Sequence, residues 1–576
     1  MKADRRTLWQ ALALFLFAFG FRLIGIGWGL PNDLHNQSLH PDETIVLNNF
    51  AYRIEPGQGK FTPENYNYPT LYPLLLRVAG DMATTYSGAE NPKHTPQPSL
   101  SEYLDKMGRF ERTVNLAGRI VSALAGAGTA VIVFLFLLRF TGQIGAVFGG
   151  ALMAIAPAFL VHSRFQTVDV TSTFFFTVAI YYAAKLLSVP GEDHDPRDVK
   201  RYARIVLLSA LFAGLSAGTK YTGVLALLAL WTALFIGRHP QRFRLAASAL
   251  LVAVGAFLIT TPGALLDTAQ FLKGVRTETA HMGEGHGFVF VGTPNGFLFH
   301  LGNVVTGIGP LAALIGLAGL FWAAAKKHAW AWLLLVTFIP YYILIGRSEV
   351  KFMRYVLPLF PAVCCGFGYA IAAAYRRPRL RYASLAVGAI ALLGLDSFAF
   401  TAVEKKTYAS CLDLRYGGLH GALKYTWNMV NEHPQDEAAR YIKSLAAAGQ
   451  IRTVGLYRRP WFWTVPVIKD ANYLNTREPL WGELFSKATT PRVQFAVMRP
   501  PADRVTWTAF EVDPIRRAIQ HPSEVPEEFK DDFAALAPLL KDLDQKYVVD
   551  KTFGGDVPEI EDLMYIHPRV EVLRPK

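Results

Sequence analysis

The 576 residues are 52% hydrophobic, 13% aromatic and 18% charged, with a formal net charge of +13. That mixture is too apolar for a soluble enzyme and too charged for a bare bundle of spans, so it calls for a membrane region joined to a soluble domain. Many basic residues fall in short gaps between apolar segments, as membrane orientation requires, rather than in the clustered patch that nucleic acid needs. The three cysteines, Cys364, Cys365 and Cys411, offer neither a disulfide framework nor a thiolate metal cluster.

Met1 to Thr7 is basic, and the apolar run that follows, Leu8 to Trp28, is long enough to span a membrane and is read as an uncleaved first helix. Just beyond it stands Ser38-Leu39-His40-Pro41-Asp42-Glu43-Thr44. Two adjacent carboxylates where a membrane helix meets water are costly without a task, which points to Asp42 as a catalytic base. The alternative is an acidic first turn that favours the positive end of a helix dipole.

Requiring 17 to 25 mostly apolar residues per segment gives about eleven spans. They lie near 8–28, 113–138, 144–162, 168–187, 203–219, 221–237, 245–262, 301–325, 329–346, 355–375 and 381–402. The gaps at Lys2/Arg5/Arg6, Arg139, 185–204, Arg238/Arg242/Arg244, Lys326/Lys327 and Arg376 to Arg381 are basic and short, and by the orientation rule they face the cytoplasm. The opposite gaps then face the exterior: the loops 29–112 and 263–300, the turns at 163–167, Lys220 and 347–354, and everything after Ala402. In the first loop, Tyr68 to Leu76 is aromatic and apolar but too short to span, and suits a helix lying in the membrane interface or one packed on the bundle.

From about Glu404 the composition becomes that of a soluble α/β domain, so the chain divides at 1–403 and 404–576. Asp436 to Ala448 and Glu527 to Gln545 have helical spacing, while 453–456, 493–498, 547–549 and 570–573 read as strands. Gly554-Gly555-Asp556 reads as a turn, not as a phosphate loop.

If this topology holds, the unusual polar residues fall on one side. Asp169 enters the fourth span at its exterior end, as an acid at the site or as a helix cap. Lys220, in Gly218-Thr219-Lys220-Tyr221-Thr222-Gly223, interrupts a long apolar run, and its small neighbours would let another group reach the ammonium; the plainer reading is a turn lysine that snorkels to water. Arg347, Lys351 and Arg354 share its anomaly of positive charge on the exterior side, and a guanidinium such as that of Arg354 matches a phosphate bidentately. Glu278, His281, Glu284 and His286 could bind a divalent metal, although their spacing follows no zinc pattern; substrate hydrogen bonding and plain loop structure are the alternatives.

On His40-Pro41-Asp42-Glu43, Asn67-Tyr68-Pro69-Thr70-Leu71-Tyr72, Arg119 with Ser122-Ala123, His162-Ser163-Arg164 with Asp169, Gly218 to Gly223, and Arg354-Tyr355-Val356-Leu357-Pro358, the chain resembles the C-type (GT-C) glycosyltransferases. Within them it is similar to the protein O-mannosyltransferases and the bacterial 4-amino-4-deoxyarabinose transferases, over essentially all of residues 8–402. The resemblance implies a polytopic α-helical membrane protein of GT-C fold that transfers a sugar from a polyprenyl-phosphate donor to a lipid, glycan or protein acceptor at the exterior face of the inner membrane. Asp42 would be the base, with Glu43 and Asp169 beside it, and Lys220, Arg354, Arg347 and Lys351 would hold the donor phosphate. His40, Tyr68, Tyr72, His162, Arg164, Tyr221, Glu278, His281 and His286 would line the substrates; no metal ligand or cofactor is assigned. A transporter or flippase of a lipid-linked saccharide is the rival, and it would call for ionisable residues deep within spans and for inverted repeats. A non-catalytic assembly factor would leave Lys220 without a purpose.

Overall fold

A computed structural model of the chain describes residues 5–35, 37–40, 42–92, 100–188, 196–238, 240–400, 416–450, 453–456, 472–473, 504–555 and 566–576. The expected boundary at 403/404, Cys411 and the strand expected over 493–498 lie outside the described residues.

Helices occupy each stretch expected to span. Among the described residues, five are long and apolar enough to cross a membrane unbroken, or six if one bent pair counts as a span, against about eleven segments expected. Part of the difference lies in breaks that composition averages over. The span drawn at 301–325 is two helices, Gly296–Ile308 and Pro310–Ala325, meeting at 114°. Gly309, at φ 112°, and the Pro310 that follows it cannot continue a helix. The segment at 144–162 likewise breaks before Pro157, and the helix begun at Arg381 stops at Leu393 before Gly394, at φ 72°. Leu251, Ile259, Leu314 and Phe321 point outward from the bundle, a surface that suits lipid rather than water.

The first long loop carries two long helical segments besides shorter turns of helix. Leu71–Ser87 buries Tyr72, Pro73, Leu76 and Gly80 and leaves Val78, Met82 and Tyr86 exposed, an amphipathic surface helix. Leu100–Phe140, at 41 residues, runs far past the expected 113–138.

The C-terminal region holds one mixed sheet in the order β2-β1-β3-β5-β4, with β1 Thr453–Leu456, β2 Asn472–Tyr473, β3 Arg504–Thr508, β4 Tyr547–Phe553 and β5 Val570–Pro575. Neighbours β2, β1 and β3 are parallel, and β5 is antiparallel to both β3 and β4. Helices Pro434–Ala447 and Lys530–Lys546 accompany it close to the predicted positions, and a third, Ala509–Gln520, was not expected.

Candidate active site

Four separate elements bring charge to one place. Asp42 and Glu43 open a short helix of wide, π-type turns, Asp42–Asn48. Asp169 lies at the start of helix Val168–Leu186, where Thr167 is the cap: its Oγ1 accepts from the Asp169 amide at 3.2 Å and donates to the Asp169 carboxylate at 3.0 Å. Thr167 rather than Asp169 caps this helix, and with Oδ2 accepting from Thr167 the other carboxylate oxygen, Oδ1, turns to a second partner. That partner is Lys220, whose Nζ lies 2.5 Å from Asp169 Oδ1.

Lys220 sits in extended backbone between helix Pro196–Thr219 and the turn Tyr221–Leu225. Its neighbouring glycines do not open a path to the ammonium as expected. A Cβ on Gly218 would meet Thr260 Oγ1 at 2.3 Å and one on Gly223 would meet Ser216 backbone at 2.3 Å, so they serve close helix packing.

Arg354, in the tight turns Met353–Leu359, closes the group: its NH2 is 3.5 Å from Asp42 Oδ2 and its Nε 4.0 Å from Asp169 Oδ2. Both cations rest on rings, Lys220 Nζ at 4.4 Å from the Tyr355 centroid and Arg354 Cζ at 4.0 Å from that of Phe352. Tyr355 belongs to the motif read from the sequence but was given no role there, and Phe352 was not named, although its place between Lys351 and Arg354 was a usable signal. A cavity of roughly 120 Å³ adjoins the group, lined by Tyr68, Lys220, Tyr221, Glu278, Tyr341 and Tyr355 among others. Burial raises the Glu278 carboxyl above the usual glutamate range, opposed by Lys220 and Arg354.

Glu43 takes a different place from its neighbour. It is fully buried, and Arg119 Nε and NH2, Ser38 Oγ and the Gln166 amide approach its two oxygens at 2.8, 2.7, 2.5 and 2.8 Å. All four acceptor positions of the carboxylate are taken by these groups, so Glu43 does not pair with Lys220 or Arg354. Burial alone would raise its pKa, but the Arg119 charge and hydrogen bonds hold it below the ordinary value. Arg119→Ala, which strands this carboxylate, is expected to destabilise the protein by about 3–5 kcal/mol, seen as a lower unfolding midpoint in detergent. Because the folded carboxyl titrates below the unfolded one, the pair's contribution is complete above the ordinary glutamate pKa and fades as pH falls through the lowered one.

Other expected contacts are also redirected. Tyr72 is buried with its hydroxyl 2.9 Å from Ser122 Oγ, packed among Leu47, Ala51 and Leu76 rather than facing the cavity. Arg164 is spent on Phe21 O at 2.9 Å and Thr426 Oγ1 at 2.6 Å, tying the bundle to helix Gly418–Val430. Arg347 is exposed, and Lys351 turns to Thr293 Oγ1 at 3.3 Å and Glu349 at 3.4 Å, so neither stands with Lys220 and Arg354. His40 and His162 are buried with their rings 4.4 and 6.3 Å from Phe165. His281 Nε2 and His286 Nδ1 are 3.4 Å apart, and among the described residues no three His, Cys, Asp or Glu side chains are disposed to hold a metal.

Residues 110–265 match the family model described as dolichyl-phosphate-mannose-protein mannosyltransferase. No curated protein matches the chain. The fold is similar to that of the archaeal oligosaccharyltransferase AglB from Archaeoglobus fulgidus, solved with an inhibitory peptide and a dolichol-phosphate: TM-score 0.50, 11% identity, covering 91% of this chain and 72% of that one. ArnT from Cupriavidus metallidurans bound to undecaprenyl phosphate is similar at TM-score 0.49 and 15% identity, covering 99% and 98%. The S. cerevisiae Pmt1-Pmt2 complex bound to the sugar donor is similar at TM-score 0.33 and 15% identity, over 46% and 34%.

Proposed function

We propose, from the premise that the chain belongs to the GT-C superfamily of membrane glycosyltransferases, that it moves a sugar from a polyprenyl-phosphate donor to a hydroxyl of a lipid, glycan or protein acceptor at the exterior membrane face. The observation that carries this reading is the meeting of Asp42 and Asp169 with Lys220 and Arg354 beside a cavity. In the transfer, the acceptor oxygen bonds to the anomeric carbon as the bond from that carbon to the phosphate oxygen breaks. The acceptor proton goes to Asp42, and the departing polyprenyl monophosphate gains a negative charge. Fixed cations in a site of low dielectric stabilise such charge best. Attack opposite the leaving group inverts the anomeric centre.

Asp169 pairs with Lys220 at 2.5 Å and faces Arg354 at 4.0 Å, so the donor phosphate competes with this carboxylate for the cations. Asp169→Asn is accordingly expected to bind polyprenyl phosphate at least as tightly as wild type while transferring sugar more slowly. Isothermal titration beside a turnover assay separates the two effects.

The bent pair Gly296–Ile308 and Pro310–Ala325 also suits a transporter, whose sites are often built at broken helices. Here protein fills the break: Gly417 packs against Gly309, and the Leu311 amide donates to Asp396 Oδ2 at 2.9 Å. Mass spectrometry of lipids and glycans from cells with and without the protein tests the enzyme reading. A transferase changes the glycosylated product, whereas a flippase changes only the sidedness of an unaltered lipid-linked sugar. The proposed orientation predicts that an impermeant maleimide labels Cys411 in sealed spheroplasts, since Cys364 and Cys365 are buried. Labelling only after lysis would reverse the topology.

A further inference from the structure

The C-terminal region grips the two loops that carry the site. The first grip is on the loop before Asp42. Trp28 Nε1 donates to Ile566 O at 2.9 Å, Asn32 Nδ2 donates to Asp436 Oδ2 at 2.8 Å, and His35 Nε2 lies 3.4 Å from the same oxygen. Leu34 packs with Ala438, Ile442, Val570 and Val572. From Trp28 the connection runs inward: its carbonyl accepts from Arg119 NH1 at 2.5 Å, and Arg119 holds Glu43, the residue next to Asp42.

The second grip is on the loop after helix Thr268–Glu284, which carries Glu278 to the cavity. Arg517 donates to the carbonyls of Val289 and Val291 at 2.5 and 3.1 Å, and Glu524 accepts from the Gly292 amide at 2.9 Å. Phe288 is fully buried among Ile515, Ala518, Val525 and Leu540 of the C-terminal region. This connection also runs inward, because the Phe290 ring is 5.1 Å from that of Phe352, on which Arg354 rests. The two grips share one strand. Along β5, Val570 and Val572 join the cluster around Leu34, and Leu573 packs against the cluster around Phe288.

We propose that the C-terminal region acts as a bracket that sets the separation of Asp42 from Arg354, with Asp436 and Arg517 as positioning residues on its two sides. The idea rests on the transferase reading above. Its physical basis is that a displacement of about 1 Å in a reacting group costs about 10² in rate, and that a sheet gripping both loops is stiffer than either loop alone.

The two sides make different predictions in the full-length protein. Asp436→Ala loosens the base side and is expected to lower kcat about tenfold or more with the donor KM unchanged. Arg517→Ala loosens the cation side and is expected to lower kcat and also raise the donor KM. Asp436→Asn, which keeps an acceptor for Asn32, should recover part of the loss. A merely structural role would scale activity with the folded fraction and leave KM alike in both variants. Hydrogen exchange supplies a readout that needs no turnover: Asp436→Ala should speed exchange in residues 37–48, and Arg517→Ala in 277–293. If exchange in both segments stays at the wild-type rate, or if kcat per folded molecule is unaltered in both variants, the bracket is overturned. A wild type that transfers no sugar from any polyprenyl-phosphate donor overturns the transferase reading instead, and the exchange pattern still decides the bracket.

Discussion

Asp42→Asn is expected to transfer sugar at less than a hundredth of the wild-type rate while folding and binding polyprenyl phosphate. The amide keeps the shape of the carboxylate and loses the lone-pair basicity that takes the acceptor proton, a contribution typically worth about 10² to 10⁴ in rate. Binding should survive for an electrostatic reason. Asp42 is one of two carboxylates that face Arg354, so its neutralisation leaves that guanidinium more available to the donor phosphate. Glu43 offers no substitute base, since Arg119, Ser38 and the Gln166 amide already take all of its acceptor positions. Asp42→Asn with a tenth or more of the wild-type rate would exclude Asp42 as the base and leave Asp169 to be tested in its place. Direct titration with polyprenyl phosphate, run beside the turnover assay, shows whether a slow variant has lost chemistry or substrate.

Lys220→Ala should be as damaging through the other half of the reaction. The phosphate gains charge as the glycosidic bond breaks, so a cation there stabilises the transition state more than the bound donor. The expected loss in kcat/KM is on the order of 10² to 10³, the usual cost of removing one preorganised partner of a developing anion. A complication is that Lys220 also pairs with the buried Asp169 at 2.5 Å, and its removal strands that carboxylate. Lys220→Ala combined with Asp169→Asn separates the two effects. If the single variant fails only because Asp169 is left unpaired, the double variant regains folding and the rate of Asp169→Asn alone; if Lys220 serves the phosphate, it regains folding and stays well below that rate. Arg354→Lys keeps the charge and loses the planar fork, and about a tenfold loss or more is expected from it. Normal use of a polyprenyl-phosphate donor by both Lys220→Ala and Arg354→Lys, or transfer from a soluble nucleotide sugar alone, removes the case for a lipid-linked donor.

Much of this was legible in the chain itself. The apolar segments and basic gaps place helices where the structure has them, because burial of about twenty apolar residues per span is a property of composition. The same gaps isolate Asp42, Asp169, Lys220 and Arg354, since charge beside lipid is expensive and stands out against an apolar background. β1 and the start of β4 are read correctly because short β-branched and aromatic runs between turn residues leave few alternatives.

What only the tertiary structure decides is which polar groups face each other. Asp42 and Glu43 are indistinguishable as neighbours in sequence, yet Arg119, 76 residues away, claims one and Arg354 meets the other. Arg354 and Lys351 are alike in the sequence, and the turn that carries them sends one to Asp42 and the other to Thr293. Asp169 is equally a cap or an acid until Thr167 is seen to cap the helix itself. The break at Gly309 and Pro310 carried its own signal in sequence, but the protein that fills it comes from residues about a hundred positions onward. The hold of the C-terminal region on both site loops had no trace in pattern or composition, because a hydrogen bond such as that from Trp28 to Ile566 joins residues 538 apart and depends on the whole fold between them. Hydrophobic periodicity is a local quantity that sequence carries directly, whereas partner choice among charges is settled by long-range packing.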